Sequence, residues 1–227
     1  MQISVIIPVL NEVASIQKCL DQFGKEDSID VVVVDGGSTD GTPDLVFATG
    51  IGRCVFSPTK GRASQMNWGA QHAVGDVLLF LHADTFLPPN GLSLIRDTMA
   101  NQHVVGGRFE LGLADAGMGF RWIAYLSTLR SKLLGITYGD QGIFVRRDVF
   151  RSVGGYPMRD LFEDSEFCNV VKKCGKFVML PAQVCSSTRR WRKWGVVRTV
   201  IWMWLLRVMF VCGVSDKTLS RWYRSVR

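Results

Sequence analysis

The chain has 227 residues, 47% of them hydrophobic and 21% charged, which is enough for one sizeable core and typical of a globular protein. Its net charge of +7 belongs to the C-terminal segment, because Arg189–Arg227 contains ten Lys or Arg and one acid, leaving the first 188 residues at about −2. This distribution argues against a nucleic-acid-binding surface over the whole body and predicts that the C-terminal segment meets an anionic partner.

The six cysteines form no CxxC pair and lie mostly within apolar runs. Such cysteines are typical of small buried side chains in a reducing compartment. The opening residues MQISVIIPVLNE lack the basic segment and the long apolar segment of a secretory signal peptide. We therefore expect a strand at the N-terminus and a cytoplasmic protein.

The first hundred residues alternate between strand and helix patterns. Ile3–Val9 is a β-branched run that predicts a strand, and Asn11 follows it as a candidate N-cap of a helix. Asp30–Val34 predicts a second strand that ends on Asp35 and a glycine-rich turn, and Thr42-Pro43 is a favourable start for the next helix. Strands separated by helices in this way predict a parallel sheet with right-handed crossovers.

A basic pair follows the third predicted strand, Arg53–Ser57. Lys60 and Arg62 flank a glycine at the start of the helical pattern Arg62–Val74. Two cations beside the exposed amides of a helix start can hold a diphosphate, and a solvated loop is an equal alternative. Neither GxGxxG nor GxxxxGK[ST] occurs, which argues against the common dinucleotide and P-loop sites.

Val77–Leu81 is apolar at every position, as in a strand buried on both faces of a parallel sheet. It ends on His82-Ala83-Asp84, where an imidazole and a carboxylate two residues apart project to the same side. Because ligands of open α/β sheets gather at the carboxyl ends of strands, this pair is a candidate site for a divalent metal facing a phosphate. The structural alternative is an aspartate that caps the next helix and a histidine that fills a gap.

The second half of the chain adds further polar positions at predicted element ends. Tyr138–Val145 is a strand candidate whose polar members are Asp140 and Gln141. Leu161–Cys174 predicts a helix that opens on Glu163-Asp164.

The C-terminal segment is basic and apolar at once. Gly195–Val214 contains 15 apolar residues of 20 but also Arg198 and Arg207. Because an arginine near the bilayer centre costs roughly 2.5–3.5 kcal/mol, we expect surface-lying or self-associating helices rather than a membrane span. The alternative is a helix packed on the sheet. A boundary near Arg189 divides the chain into residues 1–188 and residues 189–227.

Acidic residues stand at several predicted strand or helix ends: Asp35, Asp84, Asp140 and the pair Glu163-Asp164. Each could simply cap a turn. Together they suit transfer from a diphosphate-activated donor, in which one acid binds the base or ribose. A second acid holds a metal beside the leaving phosphate, and a third takes the proton of the acceptor.

Six segments, taken in order, resemble glycosyltransferase family 2 over roughly residues 1–190: SVIIPVLNE, VVVVDGGSTDGT, KGRASQMNWGA, FLHADT, GDQGIFVRR and LFEDSEF. The set is most similar to a small bacterial subgroup, the rSAM/selenodomain-associated transferase 2 proteins. The resemblance implies an α/β GT-A fold, with a Rossmann-like, mostly parallel central sheet, flanking helices and a C-terminal helical tail. It also implies an inverting, hexosyltransferase-like enzyme that uses a nucleotide-diphosphate sugar and Mn²⁺ or Mg²⁺.

The resemblance also assigns donor-side roles. Asp35 would bind the base or ribose, and Asp84 would be the metal ligand of a DxD-type motif whose first acid is replaced by His82. The remaining positions expected around the nucleotide are Pro8, Asn11, Glu12, Lys60, Arg62 and Ala83.

On the acceptor side, the resemblance makes Asp164 the general base, with Glu163 as the runner-up, and implies direct displacement with inversion. Asp140 and Gln141 are expected to face the acceptor. Arg190 and Trp191 match the RW-containing acceptor motif of processive relatives, without the glutamine at its head.

Two functions from different classes remain open. The first is an active glycosyltransferase with an unknown, apolar or lipid-linked acceptor, in peripheral contact with the inner face of the membrane. The second is a nucleotide-sugar-binding or scaffold protein that keeps the fold without turnover, suggested by His82 in the metal motif. Self-association through the C-terminal helices is a further expectation. A sugar-1-phosphate nucleotidyltransferase would need a glycine-rich basic signature after the first strand, and PVLNEVASI is not one.

Overall fold

The computed structural model describes residues 1–24, 28–113, 137–187 and 195–224. Arg190 and Trp191 lie outside these ranges, so their acceptor-side role stays a prediction. The described strands are β1 Ile3–Val9, β2 Ile29–Asp35, β3 Arg53–Phe56, β4 Val77–Phe80, β5 Thr85–Phe86, β6 Val104–Leu113, β7 Ile143–Arg146 and β8 Lys176–Ser186. The described α-helices are α1 Val13–Asp21, α2 Thr42–Thr49, α3 Arg62–His72, α4 Gly91–Met99, α5 Arg147–Ser152, α6 Glu163–Val171, α7 Val196–Val211 and α8 Asp216–Arg224.

One mixed sheet runs through the described chain in the order β3-β2-β1-β4-β7-β6-β8-β5. β3, β2, β1 and β4 are parallel, as their continuous apolar runs and intervening helices predict. β7 runs antiparallel to both β4 and β6, and β8 pairs parallel with β6. The register places Val9 beside Asp35 and Ile6 beside Phe80, so β1, β2 and β4 end at one edge of the sheet.

Alternate residues of β1 enter two separate cores, because successive side chains of a strand point to opposite faces. Val5 and Ile7 pack under α1, α2 and α4, whereas Ile6 packs under α3, α5 and α6. α3 lies so close to the sheet that a Cβ on Gly69 would be 2.5 Å from a methyl carbon of Ile6. This tight packing fixes the start of α3, which is Arg62, near the carboxyl ends of the central strands.

Two local predictions are corrected by the structure. Asn11 does not cap α1: it has φ +56°, Glu12 occupies the N-cap position, and the Asn11 side-chain oxygen accepts the backbone N–H of Thr39. The strand predicted over Tyr138–Val145 begins as a 3-10 turn at Gly139–Gln141 and becomes extended only at β7. The left-handed Gly142, with φ +60°, separates the turn from the strand.

The two C-terminal helices contact the body through a small apolar cluster. Leu206 of α7 and Leu219 of α8 are fully buried and pack with Leu161 and Phe162, the residues just before α6. In this cluster the helices pack on the segment before α6, whereas the alternative predicted from the sequence was packing on the sheet. In the part of the chain that the structure describes, no helix is both long and apolar enough to cross a membrane.

The opposite face of α7 is apolar and exposed. Ile201, Trp204, Leu205, Val208 and Val211 recur at helical spacing and are 45–75% exposed. We call these five residues the α7 stripe. The described basic residues Arg198, Lys217 and Arg221 are also exposed on the same two helices.

Candidate active site

The loops that follow β1 and β2 are tied together by short polar contacts. The Asp35 carboxylate is buried and accepts the backbone N–H groups of Gly37 and Ser38 at 2.8 and 3.0 Å. Asn11 donates its backbone N–H to the Ser38 hydroxyl at 2.9 Å, which joins the two loops. Asp35 thus shapes one rim of the sheet edge, and the family resemblance implies that it binds the base or ribose there.

Gln65 was not identified from the sequence. It is buried on α3, and its side-chain amide donates to the carbonyl oxygens of Val9 and Val34, both at 2.8 Å. These two carbonyls belong to the ends of β1 and β2, so Gln65 fixes the spacing of the strand ends. The sequence feature that could have identified Gln65 is its position as a polar residue on the buried face of a predicted helix.

Arg62 joins the N-terminus of α3 to the N-terminus of α6. Its Nε donates to Glu163 Oε1 at 2.5 Å and its Nη2 donates to Asp164 Oδ2 at 2.9 Å. The side chains of Glu163 and Asp164 are only 2% and 5% exposed, whereas that of Arg62 is 38% exposed. One partly exposed cation therefore holds two buried carboxylates at the mouth of the site.

His82 and Gly139 complete this cluster. Nη1 of Arg62 lies 3.3 Å from Nε2 of His82, so this imidazole nitrogen faces a cation. A Cβ on Gly139 would lie 2.5 Å from Asp164 Oδ2 and 2.9 Å from His82 Nε2. Only glycine fits there, and its backbone N–H donates to Asp164. The GDQG segment thus reaches the base candidate through its backbone.

The protonation of Asp164 is strongly perturbed. Burial raises its pKa to about 7, even though Arg62 opposes the shift, and the negative charges of Glu163 and Asp140 raise it further. For Arg62, burial alone would lower the pKa, but Asp164 and Glu163 outweigh it and hold the pKa above its usual value. A carboxyl with a pKa close to neutrality suits a general base.

Two oxygens in this cluster have no hydrogen-bond partner within the described residues: Oδ1 of Asp164 and Oε2 of Glu163, both buried. Buried carboxylate oxygens are normally satisfied, so unsatisfied ones mark a place where a ligand or water is received. Phe162 precedes them with φ +65°, an unusual conformation for a bulky residue and one that clusters at functional sites. The cluster thus presents two buried carboxylate oxygens that make no hydrogen bond to the described residues.

In the described part of the chain, few side chains that could ligate a metal lie around Asp84. Asp84 is half-buried after β4, and no group of three or more His, Cys, Asp or Glu side chains is arranged to hold a metal among the described residues. Mg²⁺ and similar ions are commonly bound by one or two carboxylates together with substrate phosphates. The donor set therefore fits a metal shared with a diphosphate, with Asp84 as its protein ligand.

The remaining predicted residues fall into two groups. Gln141 is buried, and its oxygen accepts from Arg108 Nη1 at 2.9 Å and from the backbone of Tyr138 at 3.0 Å, so it supports the turn that carries Asp140. Exposure varies among the predicted donor-side residues: Lys60 is exposed, Pro8 and Glu12 are half-buried, and Ala83 is buried. The assigned roles of all these residues stay predictions.

Two tyrosines near the cluster were also missed. Tyr156 is buried beside Phe167, and the charges of Asp164 and Glu163 act on its hydroxyl, whose pKa is raised first by burial. Tyr223 of α8 contributes to the electrostatic environment of Arg62. The C-terminal helices therefore reach the site, which the sequence pattern could not place.

Comparison with known proteins agrees with this architecture. Residues 4–154 match the model of Glycosyl transferase family 2. A PGL/p-HBAD biosynthesis glycosyltransferase of Mycobacterium tuberculosis is 34% identical over 69% of this chain and 63% of its own length. Glycosyltransferase AglE of Haloferax volcanii is 30% identical over 68% of this chain and 56% of its own. The chain thus spans about three fifths of the length of these relatives.

Solved structures share the fold at lower identity. The mannosyltransferase PcManGT of Pyrobaculum calidifontis, in complex with GDP-Man and Mn²⁺, has a TM-score of 0.70 at 20% identity and covers 96% of this chain and 68% of its own. TarS 1–349 of S. aureus, in complex with UDP-GlcNAc, has a TM-score of 0.69 at 18% identity, over 83% of this chain and 59% of its own. The predicted GT-A fold is confirmed, while the predicted subgroup stays a prediction.

The family model covers about two thirds of the chain, and the mycobacterial relative exceeds 30% identity over a similar share. The residues that match the family model include the loops after β1 and β2, Arg62 and the His82-Ala83-Asp84 segment. The chain therefore belongs to glycosyltransferase family 2.

Proposed function

We propose that this protein is an inverting glycosyltransferase that moves a sugar from a nucleotide-diphosphate donor to an acceptor hydroxyl. The observation that carries the proposal is Asp164: it is buried, has a pKa of about 7, and lies beside Arg62 and His82 where the central strands end. General-base catalysis needs such a group within reach of the acceptor proton.

In this proposal the donor lies along the edge formed by β1, β2 and β4. Asp35 and Asn11 line the nucleoside end, together with Pro8 and Glu12. Lys60 and Arg62 contact the diphosphate, because both are cationic and stand at the start of α3. The complexes of related folds support a nucleoside diphosphate donor: one contains GDP-Man and another UDP-GlcNAc.

A divalent metal, Mn²⁺ or Mg²⁺, belongs to the same proposal. Asp84 would hold it, next to Ala83, and His82 would be a second ligand only if its Nε2 turned away from Arg62. The metal would neutralise charge on the leaving diphosphate. The PcManGT complex contains Mn²⁺ together with GDP-Man, which supports this cofactor for the fold.

The reaction then follows from the positions of the acids. The acceptor hydroxyl transfers its proton to Asp164 as its oxygen bonds to the anomeric carbon, and the bond from that carbon to the diphosphate breaks. Attack from the face opposite the leaving group inverts the anomeric configuration. Asp140 and Gln141 would border the acceptor, and Glu163 would keep Arg62 in place while serving as the alternative base.

The first test is ligand-dependent melting. We expect GDP or UDP to raise the melting temperature and Mn²⁺ to enlarge the shift, since a ligand at a hundred times its Kd adds about 2.7 kcal/mol to the free energy of unfolding. Asp84→Asn should remove the Mn²⁺-dependent part while leaving the melting temperature of the free protein unchanged. If no nucleoside diphosphate shifts melting, with or without metal, the donor site is wrongly placed.

The second test is the pH dependence of activity. Because Asp164 has a pKa of about 7 instead of its ordinary 3.8, it is protonated and inactive as a base at pH 5. We expect kcat/KM, which reports the free enzyme, to rise about tenfold per pH unit up to neutrality and then level off. The folded state binds this proton more tightly than the unfolded state, so the same group costs stability as pH rises from about 4 to 7. If kcat/KM instead reaches its plateau near pH 4, as an unperturbed aspartate would give, the assignment of Asp164 as the base is contradicted.

We also propose that the α7 stripe rests on an anionic membrane surface. The stripe is apolar and exposed, and the basic residues Arg198, Lys217 and Arg221 are exposed on the same two helices. A basic residue near an anionic bilayer contributes about 1 kcal/mol, and tryptophans favour the headgroup level. An apolar or lipid-linked acceptor would then arrive next to the site.

Vesicle sedimentation tests this contact. We expect the protein to sediment with vesicles containing phosphatidylglycerol at low salt and to be partly released at high salt, because screening weakens surface electrostatics. Val208→Glu, in the stripe, should reduce sedimentation more than Val170→Glu, an equally apolar exposed position on α6. Equal effects of the two substitutions, or no sedimentation of the folded wild type, would end the proposal.

A second candidate function is a nucleotide-sugar-binding protein without turnover. The observation that favours it is His82, whose Nε2 faces Arg62 where the usual motif has an acid. Such a protein would show the melting shift and release no nucleoside diphosphate from any nucleotide sugar.

A further inference from the structure

Arg207 of α7 lies in an unusual position for a cation. Its guanidinium carbon is 5.1 Å from the ring centroid of Phe162 and 5.7 Å from that of Phe210. Nη1 is buried, and no hydrogen-bond acceptor reaches it within the described residues. Aromatic rings stabilise a guanidinium by cation–π attraction but do not accept its hydrogen bonds as an anion does.

A second donor in the same cluster shares this property. Trp202 packs against the Leu161 and Phe162 cluster, and its indole Nε1 is likewise buried without an acceptor among the residues described. Native proteins leave few buried polar atoms unsatisfied, so two donors on one helix point to a missing acceptor. At the arginine, a group that accepts hydrogen bonds and carries negative charge would satisfy the donor.

The nearby carboxylates do not fill this role. Glu166 is already paired with the Arg159 guanidinium, which also lies over the Phe210 ring at 5.7 Å. Asp216 accepts the backbone N–H groups of Asp160 and Lys217. The Arg207 position therefore keeps a net positive charge that the described protein does not neutralise through an ion pair.

The surroundings of Arg207 suggest what is attached to the anion. Trp204 and Val211, three residues before and four after Arg207, adjoin it on the helix surface and are 45% and 75% exposed. Phe162, on which the guanidinium rests, directly precedes the Glu163-Asp164 pair. Arg207 therefore adjoins the exposed apolar side chains of Trp204 and Val211 on α7. It also contacts Phe162, the residue before the pair that contains the candidate base.

We propose that Arg207 binds a phosphate-like anionic group of an amphiphilic acceptor, whose apolar chain leaves along the α7 stripe. The inference rests on the proposed glycosyl transfer and names the acceptor class for it. Arg207 is a binding residue here, and the fork of its guanidinium suits two oxygens of one phosphate. The anion would sit on the Phe162 side of α7 and present the rest of the acceptor to Asp164.

Calorimetric titration with three soluble probes tests the idea: inorganic phosphate, octanol, and octyl phosphate below its micelle concentration. We expect octyl phosphate to bind most tightly, because it combines the anion with the chain. Arg207→Met should weaken octyl phosphate binding at least about tenfold, the loss expected for hydrogen bonds to a charged group. Arg221→Gln, which removes an exposed charge from the same tail, should change it less than about twofold.

Three results would overturn the proposal in distinct ways. Equal losses in Arg207→Met and Arg221→Gln would mean general attraction to the basic tail. If inorganic phosphate binds as tightly as octyl phosphate, the site binds an anion but the apolar chain contributes nothing, and the amphiphilic acceptor is rejected. If octanol binds as tightly as octyl phosphate, the phosphate contributes nothing to binding, and the role of Arg207 as an anion-binding residue is rejected.

Two further measurements keep the test decisive. Should Arg207→Met fail to fold, Arg207→Lys retains the charge and loses the fork, and we expect several-fold weaker octyl phosphate binding from a normally melting protein. Melting shifts with GDP and UDP should be the same in wild type and Arg207→Met. Normal nucleotide shifts without octyl phosphate binding would reject this inference alone, whereas missing nucleotide shifts in the wild type would reject the proposed function.

Discussion

Asp164→Asn should lower kcat by about 10²–10⁴-fold, the usual contribution of general-base catalysis, while donor binding changes little. The asparagine keeps the shape of the side chain but cannot take the proton of the acceptor. Because the wild-type carboxyl is costly to ionise in its buried position, the variant should melt at a temperature no lower than that of the wild type at pH 8. Steady-state kinetics at saturating donor, with nucleotide melting shifts as the binding control, measure this.

Glu163→Gln is the matched control, since Glu163 is the neighbouring buried carboxylate on the same cation. We expect a milder loss of kcat, caused by a less firmly held Arg62. If Glu163→Gln abolishes turnover and Asp164→Asn preserves it, the roles of the two acids must be exchanged.

Arg62→Met should destabilise the protein and disable the site together. It leaves Glu163 and Asp164 buried without their shared cation, and breaking a buried ion pair costs about 3–5 kcal/mol. Since Arg62 is 38% exposed, we expect a loss nearer to about 2–3 kcal/mol, or several degrees in melting temperature. The loss should be larger at pH 8 than at pH 5, where Asp164 is protonated.

The control is Arg159→Met, which breaks the ion pair with Glu166 on the same helix. Both partners are more than a third exposed, so its contribution should stay below about 1 kcal/mol and vary little between pH 5 and pH 8. Equal destabilisation by the two substitutions, or a loss in Arg62→Met that does not depend on pH, would contradict the account of the cluster.

The parallel half of the sheet was predictable because its strands are buried on both faces. Ile3–Val9, for example, is predicted as a strand from its β-branched run alone, and the structure has the same bounds. The antiparallel half of the sheet was harder to predict from the sequence. β8 mixes apolar with polar residues and includes Pro181, so no period identifies it.

The acids of the site were found from their places at the ends of elements, because carboxylates after apolar strands stand out. The contacts between them were not predictable. Arg62 and Asp164 form a hydrogen bond although they are 102 residues apart in the sequence. Gly139 is required because a Cβ at this position would clash with the Asp164 carboxylate. Arg207, expected only as an obstacle to a membrane span, is placed over Phe162 by tertiary packing of α7.

The stereochemistry of the first product tests the central proposal most directly. The protein is incubated with a nucleotide sugar it binds, Mn²⁺ and an acceptor or water, and the anomeric proton of the new product is followed by NMR before mutarotation. A base at Asp164 and direct displacement predict a product of inverted configuration, formed by the wild type and about 10²–10⁴-fold more slowly by Asp164→Asn. A product of retained configuration would contradict the mechanism.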